Sequence, residues 1–200
     1  MTSPTRPPRA DSVRNRELLL QAAEAEFAEH GAEASIADIA ARAGVAKGTV
    51  FRHFASKEEL IAALVTGHMA TLTEGAAGFL DDPDPGLALL GFLTLAADQR
   101  QQHDVNFLLT ASAANPEVAR LRDELFGHIE SLVARARDAG AIRADITATD
   151  VFLLTCAPVH VTEFLENPPP DLWRRYLGII FDGMRPEGAS PLAMPAPKWP

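Results

Sequence analysis

Residues 35–59 read Ser-Ile-Ala-Asp-Ile-Ala-Ala-Arg-Ala-Gly-Val-Ala-Lys-Gly-Thr-Val-Phe-Arg-His-Phe-Ala-Ser-Lys-Glu-Glu, and they constrain the fold more than any other part of the chain. Ser35 and Asp38 have the spacing of an N-terminal cap, so a helix is expected to begin after Ser35. Ile36, Ile39 and Ala40 then share one face. Gly44 follows where the chain must turn, because a positive φ costs glycine little, and Val45 is placed to anchor the turn. A second short helix is expected from Ala46 to His53. Its Val50 and Phe54, four apart, face inward and leave Lys47, Thr49, Arg52 and His53 outside. Ser56-Lys57-Glu58-Glu59 is a capping box that starts a further helix. Two short helices joined by a tight glycine turn form a helix-turn-helix, a device that lays one helix in the DNA major groove.

The same stretch resembles the DNA-binding domain of the tetracycline-repressor (TetR) family of bacterial transcription regulators. The resemblance covers roughly residues 12–65. It rests on Phe27 and Gly31 closing the first helix, Ile36 to Ala40, Gly44-Val45, Gly48-Thr49-Val50-Phe51, His53-Phe54 and Ser56 to Leu60. Two positions depart from the family pattern. Phe51 stands where the family most often has tyrosine, so a hydroxyl able to reach a phosphate is absent. Ala46 stands where a hydroxyl cap is common, so the second helix starts less firmly.

The outward residues carry the chemistry of groove reading. Lys47 and Arg52 suit guanine acceptors or phosphates, and Thr49 offers a methyl to thymine or a hydroxyl to phosphate. The bland alternative is a solvated helix face. Gly48 lets a backbone approach DNA, or is merely a weak point in a helix. The resemblance places His53 and Lys57 at phosphates. Phe51 is expected either on a sugar or thymine methyl or in the core. Arg6, Arg9 and Arg14 fit a minor-groove arm or a plain tail equally well.

The formal net charge of −9 argues at first against DNA. Its distribution answers this: residues 1–60 hold eight basic and nine acidic side chains, and the remainder ten and eighteen. A local basic face gathered from Arg6, Arg9, Arg14, Arg42, Lys47, Arg52 and Lys57 on an acidic body is the expectation. Such a body disfavours nonspecific binding and makes specific binding salt-sensitive. The single cysteine, Cys156, excludes an internal disulfide and a zinc finger. No run of about 18 apolar residues exists, and the N-terminus lacks the apolar segment of a signal peptide. The chain reads as cytoplasmic, with no membrane partner, cofactor or metal expected. Catalytic motifs are missing, and Asp81, Asp82 and Asp84 suit a proline turn better than a metal site.

About nine helices are expected, an all-α fold. Residues 1–11 read as a disordered arm, 12–56 as the DNA-binding domain, 57–185 as a helical regulatory and dimerisation domain, and 186–200, with five prolines, as a disordered tail. The expected helices of the second domain run about 57–80, 87–101, 104–113, 116–139, 147–166 and 171–184. Pro158 is expected to kink the eighth. The last two are apolar over more than one face, which a lone surface helix does not need. A four-helix dimer seam through Phe152, Val159, Trp173, Tyr176, Leu177, Ile180 and Met184 accounts for this; a thick monomeric core is the alternative. A dimer also suits a near-palindromic operator read by two symmetric helices.

The resemblance further implies a small-molecule effector within the second domain. Polar or aromatic residues on apolar faces are the candidates: Phe107, Thr110, His128, Cys156 and His160. For each, simple packing is the competing account. The resulting expectation is a homodimeric, DNA-binding regulator, a repressor released by a small hydrophobic effector. Its rivals are a dimeric regulator without such an effector, and a helical ligand-binding or enzymatic protein with a vestigial helix-turn-helix.

Overall fold

A computed structural model of the protein describes residues 8–102, 108, 112, 114–161 and 165–198; among them every regular element is helical. The chain forms two compact units, Met1–Gly67 with His103–Val118, and His68–Gln102 with Ala119–Pro200. The division falls inside a helix.

In the first unit, α1 spans Pro8–His30, α2 Ile36–Arg42, α3 Lys47–His53, and α4 begins at Lys57 and ends at Phe79; a short 3-10 turn, Gly31–Glu33, follows α1. The start of α1 corrects the expected arm over 1–11. Pro8 sits at its first position, where the missing N–H costs nothing and the ring presets φ. Leu19, Ala23 and Phe27 of α1, Ile39 and Ala40 of α2, and Val50 of α3 are buried, as the helical spacing predicts. Phe54, Leu60, Ile61, Leu64 and Val65 complete this core.

The second unit holds the end of α4 with α5 (Pro85–Gln102), most of α6 (Pro116–Asp138), α7 (Ala148–Leu154), α8 (Ala157–His160) and α9 (Leu172–Gly183). The acidic cluster is a cap: Asp84 Oδ1 accepts from the N–H groups of Gly86 and Leu87 at 2.9 and 3.0 Å. This starts α5 at Pro85, earlier than expected. Asn115 Oδ1 caps α6 by accepting from Glu117 and Val118. Thr147 and Asp150 form a reciprocal capping box on α7. The apolar stripe Leu121, Leu125, Ile129, Leu132 and Ala136 of α6 is buried. The helix expected over 104–113 lies almost wholly outside the described residues.

The eighth expected helix is broken rather than kinked. Thr155 and Cys156 form a turn, Thr155 Oγ1 donates to the Phe152 carbonyl at 2.7 Å, and a new short helix begins at Ala157 with Pro158 in its first turn. Proline has no N–H for the Leu154 carbonyl, so the helix restarts instead of continuing. In the tail, residues 186–198 have no regular structure, and Arg143 donates to the Ser190 carbonyl.

α9 divides the residues expected at the dimer seam. Trp173, Leu177 and Met184, with Phe181, are buried in the unit's own core, and Val159 of α8 is buried too. Phe152, Tyr176 and Ile180 are half-buried. Residues spaced 173, 177, 181 and 184 form one stripe, whereas 172, 176 and 179 form another, turned by about 100° at 3.6 residues per turn. Ile179 on the second stripe is 56% exposed, and Leu153, Val161 and Leu165 are exposed as well.

Candidate nucleic-acid interface

The position of α3 is set by its neighbours. Ser35 Oγ accepts from the Asp38 N–H at 3.3 Å and starts α2. α2 ends in a turn closed by two bonds, Gly44 N–H to the Ala41 carbonyl at 3.1 Å and Val45 N–H to the Ala40 carbonyl at 3.0 Å. Gly44 has φ +69°, a conformation that a residue with a Cβ adopts at a cost. α3 then starts at Lys47 and ends when the Phe54 N–H bonds the Val50 carbonyl at 2.9 Å. Ser56 Oγ accepts from the Glu59 N–H, and Glu59 Oε2 accepts from the Ala55 N–H, so α4 begins at once. The Glu58 carboxyl lies below its ordinary value because its own N–H and the Ser56 hydroxyl stabilise the anion.

Ala46, at the N-cap of α3, makes no side-chain cap. A hydroxyl there would satisfy a free N–H of the first turn. Ala46→Ser is therefore expected to stabilise the fold by about 1 kcal/mol, read as a raised thermal midpoint; an unchanged midpoint would show that solvent serves that turn as well.

α3 buries Val50 and turns Lys47, Gly48, Phe51 and Arg52 outward, all exposed, with Thr49 and His53 half-buried. Phe51 is not core: it is 46% exposed, and the Lys47 ammonium lies 5.9 Å from its ring centroid. A Cβ built on Gly48 meets no atom within 4 Å, so this face is open. His53 packs its ring against Phe54, at 6.4 Å between centroids.

Two of the expected cations are engaged inside the unit. Arg42 donates through Nε to buried Glu26 at 2.6 Å and through Nη1 and Nη2 to Glu29 at 2.8 and 2.6 Å. It ties α2 to α1 and does not join a free basic face. These bonds push the Arg42 guanidinium further up and hold the Glu29 carboxyl below its usual 4.5. A carboxyl lowered in the folded state contributes stability above 4.5 and loses it as acid carries the pH through the lower folded value. Lys57 Nζ donates to the Ala32 carbonyl at 2.7 Å and lies 5.6 Å from the Phe27 ring centroid. It pins the start of α4 to the turn after α1, beside any phosphate contact it makes. Conversely, Arg16 has a contact that the motif does not announce. This exposed guanidinium of α1 stacks 5.1 Å from the Phe54 ring, next to the end of α3. Nothing in the local pattern of α1 marks it out, because the ring it stacks on is distant in sequence. Arg6 and Arg9 offer no described side chain, and Arg14 is exposed on α1.

Three of the five ligand candidates lie among the described residues. His128, Cys156 and His160 are half-buried on α6, in the turn after α7 and on α8; Phe107 and Thr110 lie outside the described residues. An open depression of about 490 Å³ in the second unit is lined instead by Phe79, Leu87, Leu90, Thr94, Asp98 and Arg174, among others. Gly91 at its wall sits against Phe79: a Cβ there would fall 2.5 Å from the ring. Among the described residues no group of three or more His, Cys, Asp or Glu side chains forms a metal cluster, and no helix is long and apolar enough to cross a membrane.

Comparison with known proteins bears directly on this geometry. Residues 19–64 match the pattern described as bacterial regulatory proteins, tetR family, and residues 84–186 match the transcriptional regulator SbtR-like C-terminal domain. The HTH-type transcriptional repressor KstR2 of Mycobacterium tuberculosis is 27% identical over 188 residues, covering 85% of this chain and 92% of its own. An HTH-type transcriptional repressor of the same organism, Rv3405c, is 54% identical over 54 residues, 26% of this chain and 28% of its own. Among solved structures, a TetR transcriptional regulator from Streptomyces coelicolor superposes with a TM-score of 0.62 at 29% identity, over 86% of this chain and 98% of that one. The structure of the ketosteroid transcriptional regulator KstR2 gives 0.67 at 23% identity, over 85% and 94%. With both halves of the chain matched and a helix-turn-helix closed over its own core, the protein belongs to the TetR family of DNA-binding transcriptional regulators.

Proposed function

We propose that the protein is a cytoplasmic homodimeric repressor that reads a near-palindromic operator through α3 and leaves it when an apolar small molecule binds the second unit. The observation that carries the reading is the outward face of α3. Lys47, Gly48, Phe51 and Arg52 stand exposed on a helix whose other side is locked by Val50 and Phe54. A helix kept only for packing has no need to hold an aromatic ring and two cations in solvent.

Lys47 is the first residue to test. If it contacts a base, Lys47→Ala should weaken binding to a duplex selected from a random pool by about 1–3 kcal/mol. If it contacts phosphate alone, binding should fall equally on all sequences and the salt slope should shrink. Unchanged binding by the folded variant, measured by fluorescence anisotropy, would place the reading face elsewhere. Symmetric half-sites should lie roughly 34–36 Å apart or modestly more, and footprinting checks this.

The effector would bind one conformation of the second unit preferentially, and α4, which belongs to both units, would carry the change. Half-buried His128, Cys156 and His160 are the polar contacts proposed for it. Such coupling is reciprocal, so operator must weaken the effector by the same factor. A regulator without a small-molecule effector is the second reading. It is favoured by one observation: none of these three residues lines the 490 Å³ depression. Titration of apolar compounds with and without operator, by calorimetry, separates the two.

A further inference from the structure

The open depression of the second unit lies between the end of α4, α5 and the start of α9. Its volume of about 490 Å³ falls in the range of about 300–1,000 Å³ usual for small-molecule sites. Phe79, Leu87, Leu90 and Leu95 make it apolar, and Leu87 is 60% exposed. Two glycines keep it open. A Cβ on Gly91 of α5 would fall 2.5 Å from the Phe79 ring, and one on Gly75 of α4 would overlap the Leu95 side chain. Both large side chains therefore lie against the facing helix instead of filling the space. Arg174 stands at one end. Its guanidinium stacks 4.4 Å from the Trp173 ring centroid, and its Nε donates to Asp171 at 3.1 Å. Its Nη2 lies 3.7 Å from Asp98, too far for a hydrogen bond, and Asp98 has a further interaction of its own. A planar fork fixed by its Nε and by a ring, with its outer edge loosely paired, matches a carboxylate. The apolar walls beside it match an apolar body.

We propose that this depression binds an apolar monocarboxylate, with its body against Phe79, Leu87, Leu90 and Leu95 and its carboxylate on Arg174 in place of Asp98. The side chains of Arg174 and Asp98 are 51% and 41% exposed, so their pair is weak and exchanging it costs little. A cationic ligand would have to compete with Arg174 for Asp98, and a neutral one would leave the guanidinium edge unused. The site is separate from His128, Cys156 and His160, none of which lines it. Binding there requires no change in operator affinity.

The probes are decanoate, decanol and decylamine, which share a tail and differ in the head. Each is titrated calorimetrically into the full-length protein without DNA, below its aggregation threshold. Decanoate should bind most tightly. Arg174→Gln should weaken decanoate by about tenfold, the effect of losing one charge-assisted hydrogen bond, and leave decanol unchanged. Arg174→Lys should recover part of that loss. Thr94→Phe, which fills the depression from its wall, should weaken decanoate and decanol alike. Leu87→Ser, at an exposed position where the fold is not at risk, should do the same to a smaller degree. No decanoate binding, tighter binding of decylamine, or equal decanoate binding by wild type and Arg174→Gln would overturn the proposal. Decanoate binding that survives both Thr94→Phe and Leu87→Ser lies elsewhere and overturns it too. Decanoate that binds as expected and leaves operator affinity unchanged supports the site and counts against an effector acting there, so the two readings fail separately.

Discussion

Leu177→Glu should unfold the second unit, while Ile179→Glu, two residues on, should leave it folded and abolish the proposed dimer. Leu177 is 4% exposed beside Trp173 and Phe181, and Ile179 is 56% exposed on the adjoining stripe of α9. No Lys or Arg is buried among the described residues, and an uncompensated buried charge costs about 3–5 kcal/mol, a large part of a domain's stability of about 5–15 kcal/mol. At Ile179 the same change alters the folded monomer by within about 0.5 kcal/mol. It does, however, put charge beside Tyr176 and Ile180, two residues of the expected seam. Thermal melts and light scattering on both variants read the two effects separately. A dimeric, normally melting Ile179→Glu protein would move the interface away from α9, and a normally melting Leu177→Glu protein would contradict the packing described here.

Phe54→Ala should be the most damaging single truncation in the first unit, at about 3–5 kcal/mol. Phe54 is 2% exposed, its N–H closes α3 on the Val50 carbonyl, and Arg16 stacks on its ring. Its loss would leave a cavity under the end of the reading helix, so operator binding should fail along with stability. Phe51→Ala, three residues earlier, should leave the thermal midpoint nearly unchanged and act on DNA alone. Chemical denaturation followed by anisotropy on both proteins checks the contrast. Equal destabilisation by the two would mean that Phe51 packs on more than Lys47.

The helix-turn-helix was legible because its determinants are local. The Ser35 cap, the Gly44 turn and the Ser56 cap each act within a few residues, and the buried spacing of α2 and α3 repeats at short range. The same holds for the Asp84, Asn115 and Thr147 caps. What was not legible depends on partners far along the chain. The wide apolar stripe of α9 announced two contacts, but periodicity alone assigns neither to core or seam. Which half lies inward is decided by elements packed on it, and these chose Trp173, Leu177 and Met184. Arg42 and Lys57 looked free for the same reason. Their acceptors, Glu26, Glu29 and the Ala32 carbonyl, lie 13 to 25 residues away.

The tie between Arg42 and α1 has a consequence for how the protein finds its site. Each cation placed on a phosphate releases a counterion and adds about 0.9 to the salt exponent of binding to duplex DNA. A guanidinium already neutralised by Glu26 and Glu29 releases none. The strongest ion-pairing group of the helix-turn-helix is thus withdrawn from the nonspecific part of the affinity, and groove contacts make up a larger share of what remains. On a chain whose formal net charge is −9, such a domain gains little by resting on arbitrary DNA.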